Sequence, residues 1–139
     1  MEFEKENELL LEIQQHVSLI VDDTPDEVIY ITSVDQKQNL INNSKVLIVK
    51  LGAEWCGPCE KVMPRYKQLA VDFVDKSIVF ASEDVDDELD LNPVPIKTIP
   101  VFHLYKNSVY VTQIFGTNLE NLETEIKKLQ ELDLDIDIE

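Results

Sequence analysis

Val46-Leu47-Ile48-Val49 is an unbroken apolar run, and no other stretch of the chain restricts the fold as strongly. A strand with one wet face alternates apolar and polar residues, whereas a continuous run is the pattern of a strand covered on both faces in a parallel or mixed sheet. Around it, helical and strand periods alternate. Val28 to Ile31 is mostly β-branched or aromatic and predicts a short strand. Ser33 is placed to cap a helix to about Ile41, before the polar turn Asn42-Asn43-Ser44. Met63, Tyr66, Leu69, Ala70 and Phe73 recur at helical spacing with Pro64 among them, which predicts a kinked helix. Ile78 to Ala81 reads as a strand, and the acidic stretch Glu83 to Asp90 as a short helix leading to the proline-rich connection Asn92-Pro93-Val94-Pro95. Val101 to Tyr105 and Val109 to Phe115 flank Lys106-Asn107-Ser108 as a hairpin. After Gly116, Asn118 caps a last helix whose face is Leu119, Leu122, Ile126 and Leu129.

The order is α/β. Before it, Phe3 to Val21 carries Leu9, Leu10, Ile13, Val17 and Ile20 at helical spacing, an amphipathic helix stopped by Asp22-Asp23-Thr24-Pro25. Its apolar stripe must be covered by its own domain or by another copy, a homodimer being the intermolecular form. Leu132 to Glu139 alternates apolar and acidic residues and reads as a frayed terminus. With 139 residues and 44% of them apolar, the chain has material for one ordinary core. The organisation expected is an N-terminal helical extension over 1–25, one α/β domain over 26–132 and an acidic tail over 133–139.

Cys56 and Cys59 are the only cysteines, in Trp55-Cys56-Gly57-Pro58-Cys59, where the buried strand passes into the kinked helix. Two thiols at this spacing can close a small disulfide ring. The first, at the helix N-terminus, meets unpaired N–H groups and the positive end of the helix dipole, which stabilise its thiolate. A thiolate is the attacking species in disulfide exchange, so Cys56 is the expected nucleophile, with Cys59 shielded one turn deeper. Zinc is the competing use of this spacing, but a tetrahedral site needs about four ligands. The chain has no further cysteine and only two histidines, His16 and His103. Two inert packed thiols are the other alternative. The strand-to-helix setting favours redox chemistry.

These residues resemble the thioredoxin family. The pentapeptide Trp55-Cys56-Gly57-Pro58-Cys59 matches the family's active-site sequence letter for letter, preceded by Ala53-Glu54. Pro64 stands where thioredoxins kink this helix, Ile99-Pro100 where they have a cis-proline opposite the disulfide, and Gly116 in the facing loop. The likeness runs from about Asp26 to Leu132. It implies a thioredoxin fold, with a central mixed sheet of four to five strands flanked by helices and here an extra N-terminal helix. It also implies an oxidoreductase in which Cys56 attacks a substrate disulfide and Cys59 resolves the mixed disulfide. Ile99 would pair with the substrate chain, and Trp55, Pro58, Ile99, Phe115 and Gly116 would form the docking surface around Pro100.

The chain departs from the family behind the cysteines. Lys50 stands six residues before Cys56, where thioredoxins usually carry a buried aspartate, and Ser82 replaces a lysine typical of the third strand. A buried, charged Lys50 would favour thiolates and make the disulfide more oxidising. A neutral one would serve as a base for Cys59. The third alternative is that Lys50 snorkels to solvent or pairs with Glu54 or Glu83, with little redox effect. Glu60 follows the second cysteine and opposes thiolate formation at Cys56 while suiting the helix N-terminus. Gly52, often aromatic in the family, is expected to loosen the active-site loop. His103 reads as a packing residue, and the acidic runs at Asp22-Asp23, Glu83-Asp84 and Asp86-Asp87-Glu88 as solvated surface.

Twenty-eight acidic against twelve basic residues give a net charge of −16, which excludes an electrostatic footprint for nucleic acid or an anionic membrane. No run reaches the roughly 18 apolar residues of a membrane span. Met1-Glu2-Phe3-Glu4-Lys5-Glu6 lacks a basic signal-peptide start, so a cytoplasmic protein is expected. The leading function is a thioredoxin-type protein-disulfide reductase serving electron transport and cell redox homeostasis, with protein disulfides as substrates and a thioredoxin reductase-like electron donor. It needs no metal or organic cofactor, since the Cys56/Cys59 pair carries the two electrons. The alternatives are a more oxidising oxidase or isomerase and a thioredoxin-like binding module.

Overall fold

The computed structural model describes residues 26–74 and 77–138, with side chains as far as Glu131. The N-terminal helix read over Phe3 to Val21, with His16 and the Asp22-Asp23 pair, lies outside the described residues. Five strands and three α-helices follow: β1 Ile29–Ile31, α1 Val34–Asn43, β2 Val46–Gly52, α2 Gly57–Asp72, β3 Ile78–Asp84, β4 Val101–Lys106, β5 Val109–Phe115 and α3 Leu119–Ile138. A 3-10 turn at Val85–Asp87 separates β3 from the long connection to β4.

Local chemistry places the element ends. Ser33 Oγ accepts from the Gln36 N–H at 3.1 Å and starts α1. Asn118 Oδ1 accepts from the Glu120 N–H at 2.9 Å at the start of α3. The β4–β5 hairpin turns on Asn107 (φ 51°) and Ser108 (φ 74°), the paired left-handed conformation whose twist suits a two-residue hairpin. At the other end α3 runs to Ile138, through the stretch that the alternation of Leu132 to Glu139 marks as a frayed tail. That stretch contains neither glycine nor proline, so nothing stops an already nucleated helix.

The sheet order is β1-β3-β2-β4-β5, with β1, β3 and β2 parallel and β4 and β5 antiparallel. The strand of the unbroken apolar run is the central one, and all seven of its residues are buried. Its even-numbered side lies with α2 and α3: Val46 and Ile48 pack with Phe80, Phe102, Tyr66, Leu122 and Ile126. Its odd-numbered side, Leu47, Val49 and Leu51, packs with Ile41 of α1 and Tyr105. Both faces are covered, which is why the run need not alternate. The active-site turn leaves the C-terminal end of β2 on the α2 side.

Candidate active site

Cys56 is the N-cap of α2 and Cys59 lies in its first turn. The two are joined as a disulfide with their Cα atoms 5.3 Å apart. Cys56 Sγ takes the place of the usual capping oxygen, accepting from the Cys59 N–H at 3.2 Å. Cys56 is 6% exposed and Cys59 is completely buried. Trp55, Gly57, Pro58, Glu54 and Glu60 are exposed around the pair. The Trp55 indole N–H donates to Asp86 Oδ2 at 2.8 Å, which fixes the ring against the turn after β3.

The Ile99–Pro100 bond is cis, as the resemblance implies. Ile99 packs on the cluster formed by Ala53, Cys56 and Cys59. Gly116, at φ 94°, donates its N–H to the Pro100 carbonyl at 3.3 Å, so the β5–α3 loop is tied to the proline. Phe115 precedes it, half-exposed, opposite Val101. Trp55, Pro58, Ile99, Pro100, Phe115 and Gly116 are thus brought to the end of the sheet that carries the disulfide.

Behind the disulfide the structure removes one of the three alternatives for Lys50, that it snorkels or pairs with Glu54 or Glu83. Its side chain does not snorkel: the residue is 4% exposed. Nor does it pair with Glu83, which Lys37 holds instead at 2.7 Å. Among the described residues no ion pair to Lys50 is formed. Burial drives its pKa below the usual lysine value, and the nearby carboxylates of Glu60 and Asp84 pull it part of the way back. Ser82 is its register partner on β3. Gly52 also has a different role from the one its flexibility suggests. A Cβ there would stand 3.0 Å from Cys59 Cβ and 3.1 Å from its Sγ, so the glycine permits close approach of β2 to the cysteine.

Two contributors escaped the sequence reading. Lys37 is fully buried, ion-paired to Glu83, and donates to Asn92 Oδ1 at 3.1 Å. Its one visible signal is that it lies four residues before Ile41, on the apolar face of α1. Asp86 belongs to an acidic run with nothing to mark it as the indole's acceptor. Glu83, read as solvated surface, is buried, because it points to the α1 side of the sheet. Among the described residues no group of three or more His, Cys, Asp or Glu is placed to hold a metal ion, and no helix is long and apolar enough to cross a membrane.

A family model for thioredoxin matches residues 27–128. The chain belongs to the thioredoxin family. It is 31% identical over 99 residues to a thioredoxin of Coprinus comatus, covering 70% of this chain and 93% of that one. It is 40% identical over 86 residues to a thioredoxin of Gallus gallus, with 61% and 80% covered. Among solved structures, a Plasmodium falciparum thioredoxin superposes with a TM-score of 0.66 at 31% identity, over 73% of this chain and 98% of that one. The protein pairs a five-stranded mixed sheet with a disulfide at a strand-to-helix turn. It is a thiol–disulfide oxidoreductase.

Proposed function

We propose that this thioredoxin-family protein reduces protein disulfides, with Cys56 as nucleophile and Cys59 as resolving thiol. The Cys56 thiolate attacks one sulfur of the substrate disulfide and displaces the other as a thiolate. Cys59 then attacks Cys56, restoring the internal disulfide and releasing the second substrate sulfur. The observation that carries this reading is the asymmetry of the pair. Cys56 sits at the helix N-cap with partial access and an N–H on its sulfur, whereas Cys59 has no exposure. The first setting lowers a thiol pKa and the second delays reaction until the mixed disulfide has formed.

Substrate is taken to dock on exposed Trp55 and Phe115 and on Pro58, with the Ile99 backbone offering strand-like pairing next to Pro100 and Gly116. The carboxylates of Glu54 and Glu60 would tune the Cys56 thiol, and the amine of Lys50 the Cys59 thiol behind it. Two thiols supply both electrons, so the reaction calls for no metal or organic cofactor, and a thioredoxin reductase-like donor would return the electrons. Such a cycle needs a reducing compartment, and on that ground we place the protein in the cytoplasm.

The test is trapping. Cys59→Ser is expected to accumulate a mixed disulfide between Cys56 and a protein substrate, visible on non-reducing gels and lost on adding dithiothreitol. Cys56→Ser should abolish insulin reduction. Retained reduction in Cys56→Ser would remove the reading. So would a reduction potential far above the roughly −270 mV of thioredoxin.

A further inference from the structure

Cys59 must lose its proton before it can attack, and it has no exposure to solvent. The groups that surround it are therefore the first place to look for an acceptor. Residues 46, 48, 50 and 52 of β2 share the side that faces α2. The point where a Gly52 Cβ would stand is 3.1 Å from Cys59 Sγ and 3.2 Å from Lys50 Nζ. Thiol and amine are thus both first neighbours of one position, which the glycine leaves empty. Lys50 Nζ makes no hydrogen bond or ion pair with any described residue, so this nitrogen is not committed to another group. It lines a groove of about 400 Å³ behind the disulfide, which gives the amine a route to water that Cys59 lacks.

We propose that the Lys50 amine, in its neutral form, takes the proton of Cys59 in the resolving step and passes it to water in this groove. The inference rests on the dithiol reading above. Proton transfer from Cys59 Sγ to Lys50 Nζ, directly or through one groove water, leaves a thiolate and an ammonium. The thiolate pair forms the Cys56–Cys59 bond as the bond between Cys56 and substrate breaks. The substrate sulfur departs with that bond's electron pair and is protonated by solvent. The ammonium releases its proton to the groove, and two electrons have passed from the protein thiols to the substrate.

Several groups set the charge state of the amine. Burial favours the neutral form, while Glu60 and Asp84 favour the ammonium. Tyr30 from β1, Lys67 from α2, Glu83 from β3, and Glu54 and Asp87 from the flanking turns complete the titratable lining. The two opposing influences suit a group that must gain and lose a proton in each turnover.

The two thiols can be timed separately in the full-length reduced protein by stopped flow with 5,5′-dithiobis(2-nitrobenzoate). Release of the first thionitrobenzoate reports Cys56 and release of the second reports Cys59. Lys50→Met is expected to leave the first phase within about twofold and to slow the second about 10²-fold at pH 7, the low end of general-base effects. The deficit should shrink as pH rises above about 9, where hydroxide and the thiol's own ionisation take over. An intact first phase also shows that the active-site turn has folded. Lys50→Arg keeps a cation that does not give up its proton, and it should be as slow as Lys50→Met. An arginine variant with the parent rate would mean that Lys50 acts as a fixed charge and would overturn the proposal. Equal slowing of both phases, an unchanged second phase, or a deficit that persists at high pH would overturn it as well. Loss of the first phase in the unmodified protein would instead strike the dithiol reading, and this inference with it.

Discussion

His103 lies in the middle of β4, fully buried, opposite Val49 on β2 and Gln113 on β5. The Tyr110 ring meets it edge-on at 5.8 Å. Burial is the main reason its pKa falls from 6.5 to about 4, the Lys37 cation adds to the fall, and Gln113 works against it. In the unfolded chain the imidazole takes a proton near 6.5. Between that value and about 4 the unfolded state binds the proton and the folded state does not, so stability rises with pH in this window and is lost as pH falls through it. At 1.36 kcal/mol per pKa unit the loss is at most about 3 kcal/mol. Glu83 has the opposite sign. Its pKa is raised chiefly by burial, with Lys37 opposing, so the folded state holds the proton more tightly above the ordinary carboxylate range and gains stability there on acidification. The informative quantity is therefore a difference. The stability of the parent minus that of His103→Leu, from urea unfolding at pH 7 and pH 4, should shift against the parent by up to about 3 kcal/mol on acidification. An unchanged difference would show that His103 titrates normally in the fold.

At the scale of elements, Lys37 of α1 joins three parts of the chain. Its amine is 2.7 Å from Glu83 of β3 and donates to Asn92 in the connection that delivers Ile99 and Pro100 to the disulfide. Neither side chain of the ion pair retains more than 1% exposure. Removing one partner of such a pair leaves a buried charge uncompensated, at a cost of about 3–5 kcal/mol. Replacing both by apolar groups is often neutral. Lys37→Met should accordingly lose about 3–5 kcal/mol in urea unfolding at pH 7, and Lys37→Met/Glu83→Leu should recover most of it. A double variant as unstable as the single one would mean that the lysine stem and Asn92 matter more than the charge pair.

The same clasp shows where sequence reading stopped. Runs and caps are local, so Ser33, Asn118, the four strand runs after Ser44 and the strand-to-helix position of the cysteines were legible. Lys37 was not, because a lysine counts as polar in any periodicity and its partner sits in another element. Gly52 read as freedom because close approach to Cys59 exists only once α2 has packed on β2. Lys50 was legible as a departure from the family pattern, but its burial and the absence of an ion-paired carboxylate among the described residues depend on the same packing. The indole acceptor Asp86 comes to Trp55 from beyond β3, a contact that no spacing within either segment encodes.

On the scale of the whole molecule, a net charge of −16 gives the protein a long-range negative potential. Part of it surrounds the disulfide: Glu54, Asp86 and Asp87 are exposed on the turns next to Trp55 and Cys56, and Glu60 at the start of α2. A field of this kind acts on encounter, raising the association rate of positively charged partners and repelling acidic ones. Two disulfide peptides of equal length, one flanked by lysines and one by glutamates, should therefore differ in kcat/KM at 0.01 M ionic strength by about tenfold or more in favour of the basic peptide. Raising ionic strength to 0.15 M shortens the screening length from about 30 Å to about 8 Å, so the ratio should contract to a few-fold as the distant charges drop out. Glu54→Gln/Glu60→Gln tests the local share, since it removes two rim charges and leaves most of the total. If the rim dominates, the double variant should lose most of the preference that survives at 0.15 M. If the whole charge dominates, it should change little and salt alone should abolish the effect. A preference that neither salt nor the double variant moves would place the discrimination in short-range contacts on the apolar surface of Trp55 and Phe115, and the charge would have no part in choosing substrates.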